Sequence, residues 1–183
     1  MVQRFLALLL AAMAAQTVAG AEDWPQFRGP DGNGVSSAVG LPLNWSEIQN
    51  VRWKVAIPGR GHSSPVVLGE RIWMTTAVDT ATEQVVLGAV CIDRDSGNLL
   101  YHQELFQLEK PEPVHGLNSY ATPTPVVQAG RLYCDFGDFG TACLDAATGE
   151  ILWRQHLRVE HQVGPGSSPV VWQDLLLVVR DGC

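Results

Sequence analysis

Apolar residues occur along most of the chain in short runs separated by small clusters of Gly, Asp, Asn, Ser or Thr. Four such runs cover 65–68, 72–77, 88–93 and 99–105. Runs of this length between turn-forming residues are typical of β-strands, whereas an amphipathic helix would need an apolar position every three or four residues over about ten or more. The pattern therefore predicts an all-β chain of short strands joined by tight turns.

The strand pattern repeats along the sequence. Segments 63–67, 123–127 and 167–171 each place a Pro before Val-Val and a Ser or Thr before that Pro. Segments 90–101 and 142–153 match each other, with their Asp, Gly and aromatic positions shifted by 52 residues. A recurrence of this kind indicates a repeat architecture rather than a single irregular sheet.

The repeat has an underlying period of 44 residues, which is the distance from Pro125 to Pro169. Pro65 to Pro125 is 60 residues, because the first copy carries two insertions of eight, within 78–87 and within 107–120. A period of about 40 to 50 residues with four short strands is typical of a β-propeller blade. Since successive connections of an antiparallel blade alternate between its two ends, both insertions are predicted to lie at the same end.

The predicted organisation begins with a signal peptide over 1–21 and an N-terminal leader segment over 22–50. A propeller typically has four to eight blades, so we expect 51–183 to be an incomplete propeller and the chain to be a piece of a longer protein. A short chain that closes its ring by oligomerising is the alternative. Within 51–183 we predict a closing strand 51–57, a blade 63–105, a blade 122–157 and a half blade 167–183.

The first 21 residues have the features of an export signal. Arg4 is followed by an apolar run over 5–15 and by the small-residue cleavage site Ala19-Gly20-Ala21. The run is shorter than the roughly 20 residues that a membrane-spanning helix needs, so a retained anchor is the lesser alternative. We expect cleavage after Ala21, no transmembrane anchor, and a location in the periplasm or outside the cell.

Composition narrows the classes of partner. The chain is 46% hydrophobic and 17% charged, with a net charge of -7 and two lysines. A chain of this charge has no basic surface for a nucleic acid backbone or for anionic lipid headgroups. We therefore expect a protein or a small extracellular ligand as the partner.

The motif Asp-x-x-(Ser/Thr)-Gly-x-x-x-(Trp/Tyr), present at 93–101 and 145–153, resembles the tryptophan-docking repeat of the pyrrolo-quinoline quinone (PQQ)-type β-propellers. The leader 23–30, Asp-Trp-Pro-Gln-Phe-Arg-Gly-Pro, is similar to the beginning of secreted bacterial members. The resemblance implies that 51–57 closes the ring by completing the last blade. It also implies structural roles for the repeat residues Trp53, Asp93, Gly97, Tyr101, Asp145, Gly149 and Trp153.

The resemblance leaves two classes of function open. Quinoprotein dehydrogenases of this family would hold PQQ, a calcium ion and a carboxylate base at the propeller centre, whereas the outer-membrane assembly factors are non-catalytic scaffolds. No adjacent Cys pair is present to stack on a quinone, and Asp93 and Asp145 fall in repeat turns. We expect no catalytic, cofactor-binding or metal-binding residues and a non-catalytic binding or protein-interaction scaffold. A PQQ-dependent alcohol or sugar dehydrogenase is the alternative.

The inserted connections suggest where a ligand or partner would bind, because loops on a rigid scaffold often carry binding residues. His62, His115, Asn118 and Tyr120 lie in or near these connections and are the candidate contacts. Surface loops without a task are the alternative. Cys134 and Cys143 would face each other if their hairpin is centred between Gly137 and Gly140, which would allow a disulfide. Two buried thiols at small strand positions are the competing interpretation.

Overall fold

The computed structural model describes residues 22–157 and 163–180. The predicted signal peptide, 1–21, and the last three residues lie outside this range. The described residues form ten strands and one short 3-10 helix, Gly137–Phe139. The strands are β1 Val66–Leu68, β2 Arg71–Asp79, β3 Val85–Asp93, β4 Leu99–Leu108, β5 Val126–Gln128, β6 Arg131–Asp135, β7 Thr141–Asp145, β8 Ile151–Gln155, β9 Val170–Trp172 and β10 Leu175–Leu177.

The strands form two four-stranded antiparallel sheets and one hairpin. The first sheet has the order β1-β2-β3-β4, the second β5-β6-β7-β8, and β9 pairs with β10. Each sheet is one propeller blade, so the all-β class and the partial β-propeller architecture are confirmed. Among the described residues, 51–57 belong to no strand, and their role in closing the ring stays a prediction.

The insertion between β2 and β3 lengthens the strands instead of forming a loop. Both strands have nine residues, whereas β6 and β7 have five each. A short turn joins them, in which the Thr80 amide donates to the Gln84 carbonyl at 2.9 Å. At the same end, Val85 pairs with Leu108, and the Gln84 side-chain amide donates to both Glu109 carboxylate oxygens at 2.7 and 2.8 Å. Both insertions therefore lie at one end of the first blade.

The first strands of the three copies lie side by side and form the inner edge of the partial ring, with β5 in contact with β1 and β9. The repeated hydroxyl residues link neighbouring copies just before these strands. The Ser64 amide donates to Thr124 Oγ1 at 2.9 Å, and the Thr124 amide donates to Ser168 Oγ at 3.0 Å. The same position therefore makes the same contact at both junctions.

The repeat aromatics Trp53 and Tyr101 each pack on the glycine in the turn of the following blade. A Cβ added to Gly97 would lie 2.6 Å from the Trp53 ring, and the Trp53 indole N–H donates to the Arg94 carbonyl at 2.8 Å. One blade further on, a Cβ on Gly149 would lie 2.9 Å from the Tyr101 ring. The Tyr101 hydroxyl reaches the Ala146 carbonyl at 3.2 Å. Both turns need glycine, because the φ angles are 75° and 78° and the aromatic ring occupies the space of a side chain.

The hydrophobic core fills the space between the two blades. Burial is nearly complete for large side chains from both sheets. Phe106 and Phe136 meet edge to face with ring centroids 6.0 Å apart, an arrangement that aromatic pairs prefer. The fully buried members of this core include Val66, Leu87, Leu132, Phe136 and Leu144.

The register of the β6–β7 hairpin separates Cys134 and Cys143, the two cysteines of the candidate disulfide. Cys134 pairs with Ala142, while Cys143 pairs with Tyr133. Successive side chains of a strand point to opposite faces, so the two sulfur atoms lie on opposite faces of the sheet. Both thiols are free and buried, which corrects the disulfide interpretation. The physical reason is that the turn over Gly137–Phe139 shifts the pairing by one residue from the assumed centre.

Candidate functional site

The end of the blades that carries the inserted connections is the candidate binding surface, and we call it the connector face. It consists of the turn 80–84, the connection 109–125 and the turn 137–140. Tyr120 supports it from below, since its side chain is only 7% exposed and its hydroxyl donates to the Glu112 carbonyl at 2.8 Å. Its ring meets Phe139 edge to face at 5.2 Å, and burial raises the pKa of its hydroxyl.

Asn118 ties the connector face to the beginning of the third copy. Its side-chain amide donates to the carbonyls of Val163 and Pro165 at 2.8 and 3.1 Å. Its side-chain oxygen accepts the Ser119 amide at 2.8 Å. Every polar atom of this amide therefore has a protein partner, and the side chain fixes the shape of the connection.

The two histidines of the predicted set are exposed but lie in different places. His115 lies in the connection itself, where its ring nitrogen Nδ1 accepts the Leu117 amide at 3.2 Å. Next to it, the Leu117 side chain is 85% exposed. His62 lies before β1, and its amide donates to the Ala121 carbonyl at 3.0 Å. The four candidates thus divide into two exposed imidazoles and two side chains that brace the connection.

The repeat aspartates have structural partners in their own turns. The Asp93 carboxylate accepts the Ser96 hydroxyl and amide at 2.6 and 2.7 Å. Asp145 accepts the Thr148 and Ala147 amides at 2.8 and 2.9 Å. These hydrogen bonds favour the ionised form and lower the pKa of both carboxyls. Both carboxylates therefore act as hydrogen-bond acceptors that stabilise their own turns.

A buried ion pair joins the second blade to the third copy and was not predicted from the sequence. The Arg180 guanidinium binds the Asp135 carboxylate through two contacts of 2.6 and 2.9 Å. Thr141 donates its hydroxyl to Asp135 at 2.6 Å. Removing one partner of such a pair leaves an uncompensated buried charge. The cluster therefore holds the two copies in a fixed relation beneath the connector face.

A cavity of about 590 Å³ lies at the inner edge of the ring, where the three copies begin. The first two copies contribute His62 and Thr124 to its lining, the third copy contributes Ser168, and the leader contributes Phe27 and Arg28. Its polar groups are hydroxyls, an amide and an imidazole, which can both donate and accept hydrogen bonds, and a guanidinium, which only donates. The full lining is Gln26, Phe27, Arg28, Gly32, His62, Thr122, Thr124, Gly166, Ser167, Ser168, Pro169, Val170 and Val179.

The lining of this cavity lacks the carboxylates that the calcium–quinone pair of the dehydrogenases would need. Calcium requires six to eight oxygen ligands that include carboxylates, and no Asp or Glu lines the cavity in the described part of the chain. Within the same residues, no three His, Cys, Asp or Glu side chains come close enough to hold a metal ion. No described helix is long and apolar enough to cross a membrane.

The family comparison agrees with the architecture. The family model described as outer membrane protein assembly factor BamB matches residues 87–182, just over half of the chain. A europium-containing methanol dehydrogenase is similar at 19% identity and a TM-score of 0.43, over 64% of this chain and 20% of that one. BamB from Moraxella catarrhalis is similar at 17% identity and a TM-score of 0.42, over 68% of this chain and 35% of that one.

The chain thus spans a fifth and about a third of the length of these two solved chains. No curated protein matches. The family match begins within β3 and covers β4, the whole second blade and the beginning of the third copy. Together with the repeat motif and the four-stranded sheets, it shows that the chain belongs to the BamB-like family of PQQ-type repeat β-propellers.

Proposed function

We propose that this protein is an exported, non-catalytic scaffold that binds a protein partner through the connector face. The observation that supports it most directly is the construction of this face. The connection 109–125 is long, yet Tyr120 and Asn118 hold it rigidly through hydrogen bonds to main-chain carbonyls. A long surface connection fixed in this way is suited to present binding residues.

The exposed groups of the connector face suit a protein surface. Leu117 offers an apolar side chain that is 85% exposed, and His115 lies beside it. The exposed Glu112 lies nearby in the same connection. Protein interfaces commonly combine an apolar centre with a polar rim. A partner that buries Leu117 against an apolar pocket, with basic groups facing Glu112, would match this pattern.

Site-specific photo-crosslinking in cells tests the proposed interface. A photoreactive amino acid at position 117 should give a discrete crosslinked product. The same amino acid at position 148, in the turn between β7 and β8 at the opposite end of the blade, should give none. Leu117→Asp should abolish crosslinking from position 115, because it places a charge at the centre of the interface. Equal products from positions 117 and 148, or no product from either, would contradict the proposal.

The proposed export has its own test. The predicted signal over 1–21 should be removed after Ala21, so N-terminal sequencing of the exported protein should begin at Glu22. Protein that still begins at Met1 would contradict this part of the proposal.

A further inference from the structure

The leader pairs with the inner edge of the first blade as an added strand segment. The Trp24 amide donates to the Val67 carbonyl at 2.7 Å, and the Val67 amide donates to the Trp24 carbonyl at 2.8 Å. This reciprocal pair is an antiparallel β-bridge. Because β1 is the first strand of its sheet, the bridge uses the strand edge that the sheet itself leaves open.

The leader also reaches the neighbouring blade. The Val127 amide of β5 donates to the Pro25 carbonyl at 2.9 Å. In the other direction along the leader, an Asp23 carboxylate oxygen accepts the Gly69 amide at 2.8 Å, just after β1. Three consecutive leader residues therefore satisfy main-chain groups at the inner edges of two blades.

A compact turn fixes the leader in this position. A Cβ added to Gly29 would lie 2.7 Å from the Trp24 ring, so the ring packs directly on the glycine. The Gln26 side-chain amide donates to the Gly29 and Pro30 carbonyls at 3.0 and 3.2 Å. Arg28 and Gly29 have φ angles of 64° and 80°, which reverse the chain. The turn holds the Trp24 main chain against β1.

We infer that the inner edges of β1 and β5 are a peptide-binding site whose resident ligand is the chain's own leader, residues 23–29. Main-chain hydrogen bonds to a sheet edge supply affinity for extended peptides in general, and side-chain contacts supply specificity. Here the specific contacts are the Asp23 carboxylate on the Gly69 amide and the Trp24 ring on Gly29. The peptide class is therefore an extended Asp-Trp-Pro segment followed by a glycine turn.

The inference also explains why the quinone does not fit. The leader supplies part of the wall of the cavity at the inner edge of the ring through Gln26, Phe27 and Arg28. Its main chain occupies the inner strand edges that would otherwise face a bound group. The site is separate from the connector face, so a failure of either proposal leaves the other standing.

Amide hydrogen exchange with a matched pair of glycine variants tests the peptide site. Gly29→Ala places a methyl group 2.7 Å from the Trp24 ring, whereas Gly32→Ala places one where nothing lies within 4 Å. Both glycines have positive φ, at 80° and 65°, so both variants carry similar backbone strain. Gly29→Ala should speed exchange of the Val67 and Val127 amides by about tenfold or more relative to Gly32→Ala. The Val90 and Leu144 amides should stay protected in both variants, which verifies the fold.

A synthetic peptide of residues 22–34 gives the second measurement. Added to the Gly29→Ala protein, it should restore protection of the Val67 and Val127 amides. The native protein should bind this peptide at least tenfold more weakly than the Gly29→Ala variant does. Its own leader competes for the site at an effective concentration of roughly millimolar. Unchanged exchange in Gly29→Ala, or lost protection that the peptide does not restore, would overturn the inference. Calcium-dependent binding of PQQ to the native protein, measured by calorimetry, would overturn the exclusion of the quinone.

Discussion

The two complete blades share a topology but differ in how far they extend beyond the ring. In the first blade, β2 and β3 pair over nine residues and end in a turn at 80–84, whereas β6 and β7 pair over five and end in a 3-10 turn. At about 3.3 Å per residue, the first hairpin projects roughly 13 Å further. The comparison shows that the insertion between β2 and β3 extends the pairing of these two strands instead of forming an unpaired loop.

The blades also differ at one equivalent packing position. Trp73 in β2 pairs with Val66, and Tyr133 in β6 pairs with Val126 in the same register. Trp73 is 2% exposed and donates its indole N–H to the Tyr101 hydroxyl at 2.9 Å. Tyr133 is only half-buried. The position between two complete blades is therefore the better packed one.

The largest effect should come from truncating this aromatic position in each blade. We expect Trp73→Ala to lower the free energy of unfolding by ~3–5 kcal/mol, because it leaves a cavity between two blades. Tyr133→Ala should cost roughly half as much, because less of its surface is buried. Urea denaturation of both variants measures the difference. Equal shifts in the two midpoints would show that the two junctions are equally packed.

The docking glycines give the next largest effect. Ala at Gly97 or Gly149 would meet the Trp53 or Tyr101 ring at 2.6 or 2.9 Å. We expect each variant to lose ~1–3 kcal/mol from overpacking, in addition to the backbone cost of ~1–2 kcal/mol for a positive φ. Denaturant midpoints provide the measurement.

Gly130→Ala is the control for the docking variants. Its φ of 74° matches theirs, and nothing lies within 4 Å of the added methyl group. It should show the backbone cost alone. If it destabilises the protein as much as Gly149→Ala does, the aromatic contact contributes nothing beyond backbone strain.

The smallest effect concerns pH. Asp93 and Asp145 have lowered pKa values because Ser96 and Thr148 donate hydrogen bonds to their carboxylates. A carboxyl whose pKa is lower in the folded state stabilises the protein above its unfolded pKa of about 4 and loses that contribution as the pH falls through the folded pKa. The urea midpoint should therefore fall less between pH 6 and pH 3 in the double variant Asp93→Asn/Asp145→Asn than in the native protein. An equal fall of the midpoint in the double variant and in the native protein would contradict this prediction.

The sequence predicts those parts of the fold that repeat. Pro65, Pro125 and Pro169 mark the beginnings of the three copies, and the Asp-to-aromatic motif places the β3–β4 and β7–β8 turns correctly. These features are local and recur in register, so each occurrence supports the other. Strand ends differ by a few residues because pairing with β3 extends β2 and β4 past their predicted ends at 77 and 105.

Features without a counterpart in another copy could not be predicted. The bridge between Trp24 and Val67 joins residues 43 positions apart, and only the folded chain brings them together. The Asp135–Arg180 ion pair is similar, because neither charge recurs at its repeat position. For the candidate site, exposure of His62 and His115 follows from their loop positions. The bracing roles of Asn118 and Tyr120 depend on distant carbonyls that no motif marks.

The hydroxyl links at the inner edge carry a consequence for how such a ring grows by gene duplication. Thr124 accepts a hydrogen bond from Ser64 and donates one to Ser168. One residue thus supplies both the donor and the acceptor at its two junctions, so a duplicated unit carries both halves of this contact. A new copy inserted between two old ones would need no compensating mutation at this position. The alternation of Ser and Thr among the three copies indicates that only the hydroxyl, and not the rest of the side chain, has to be inherited.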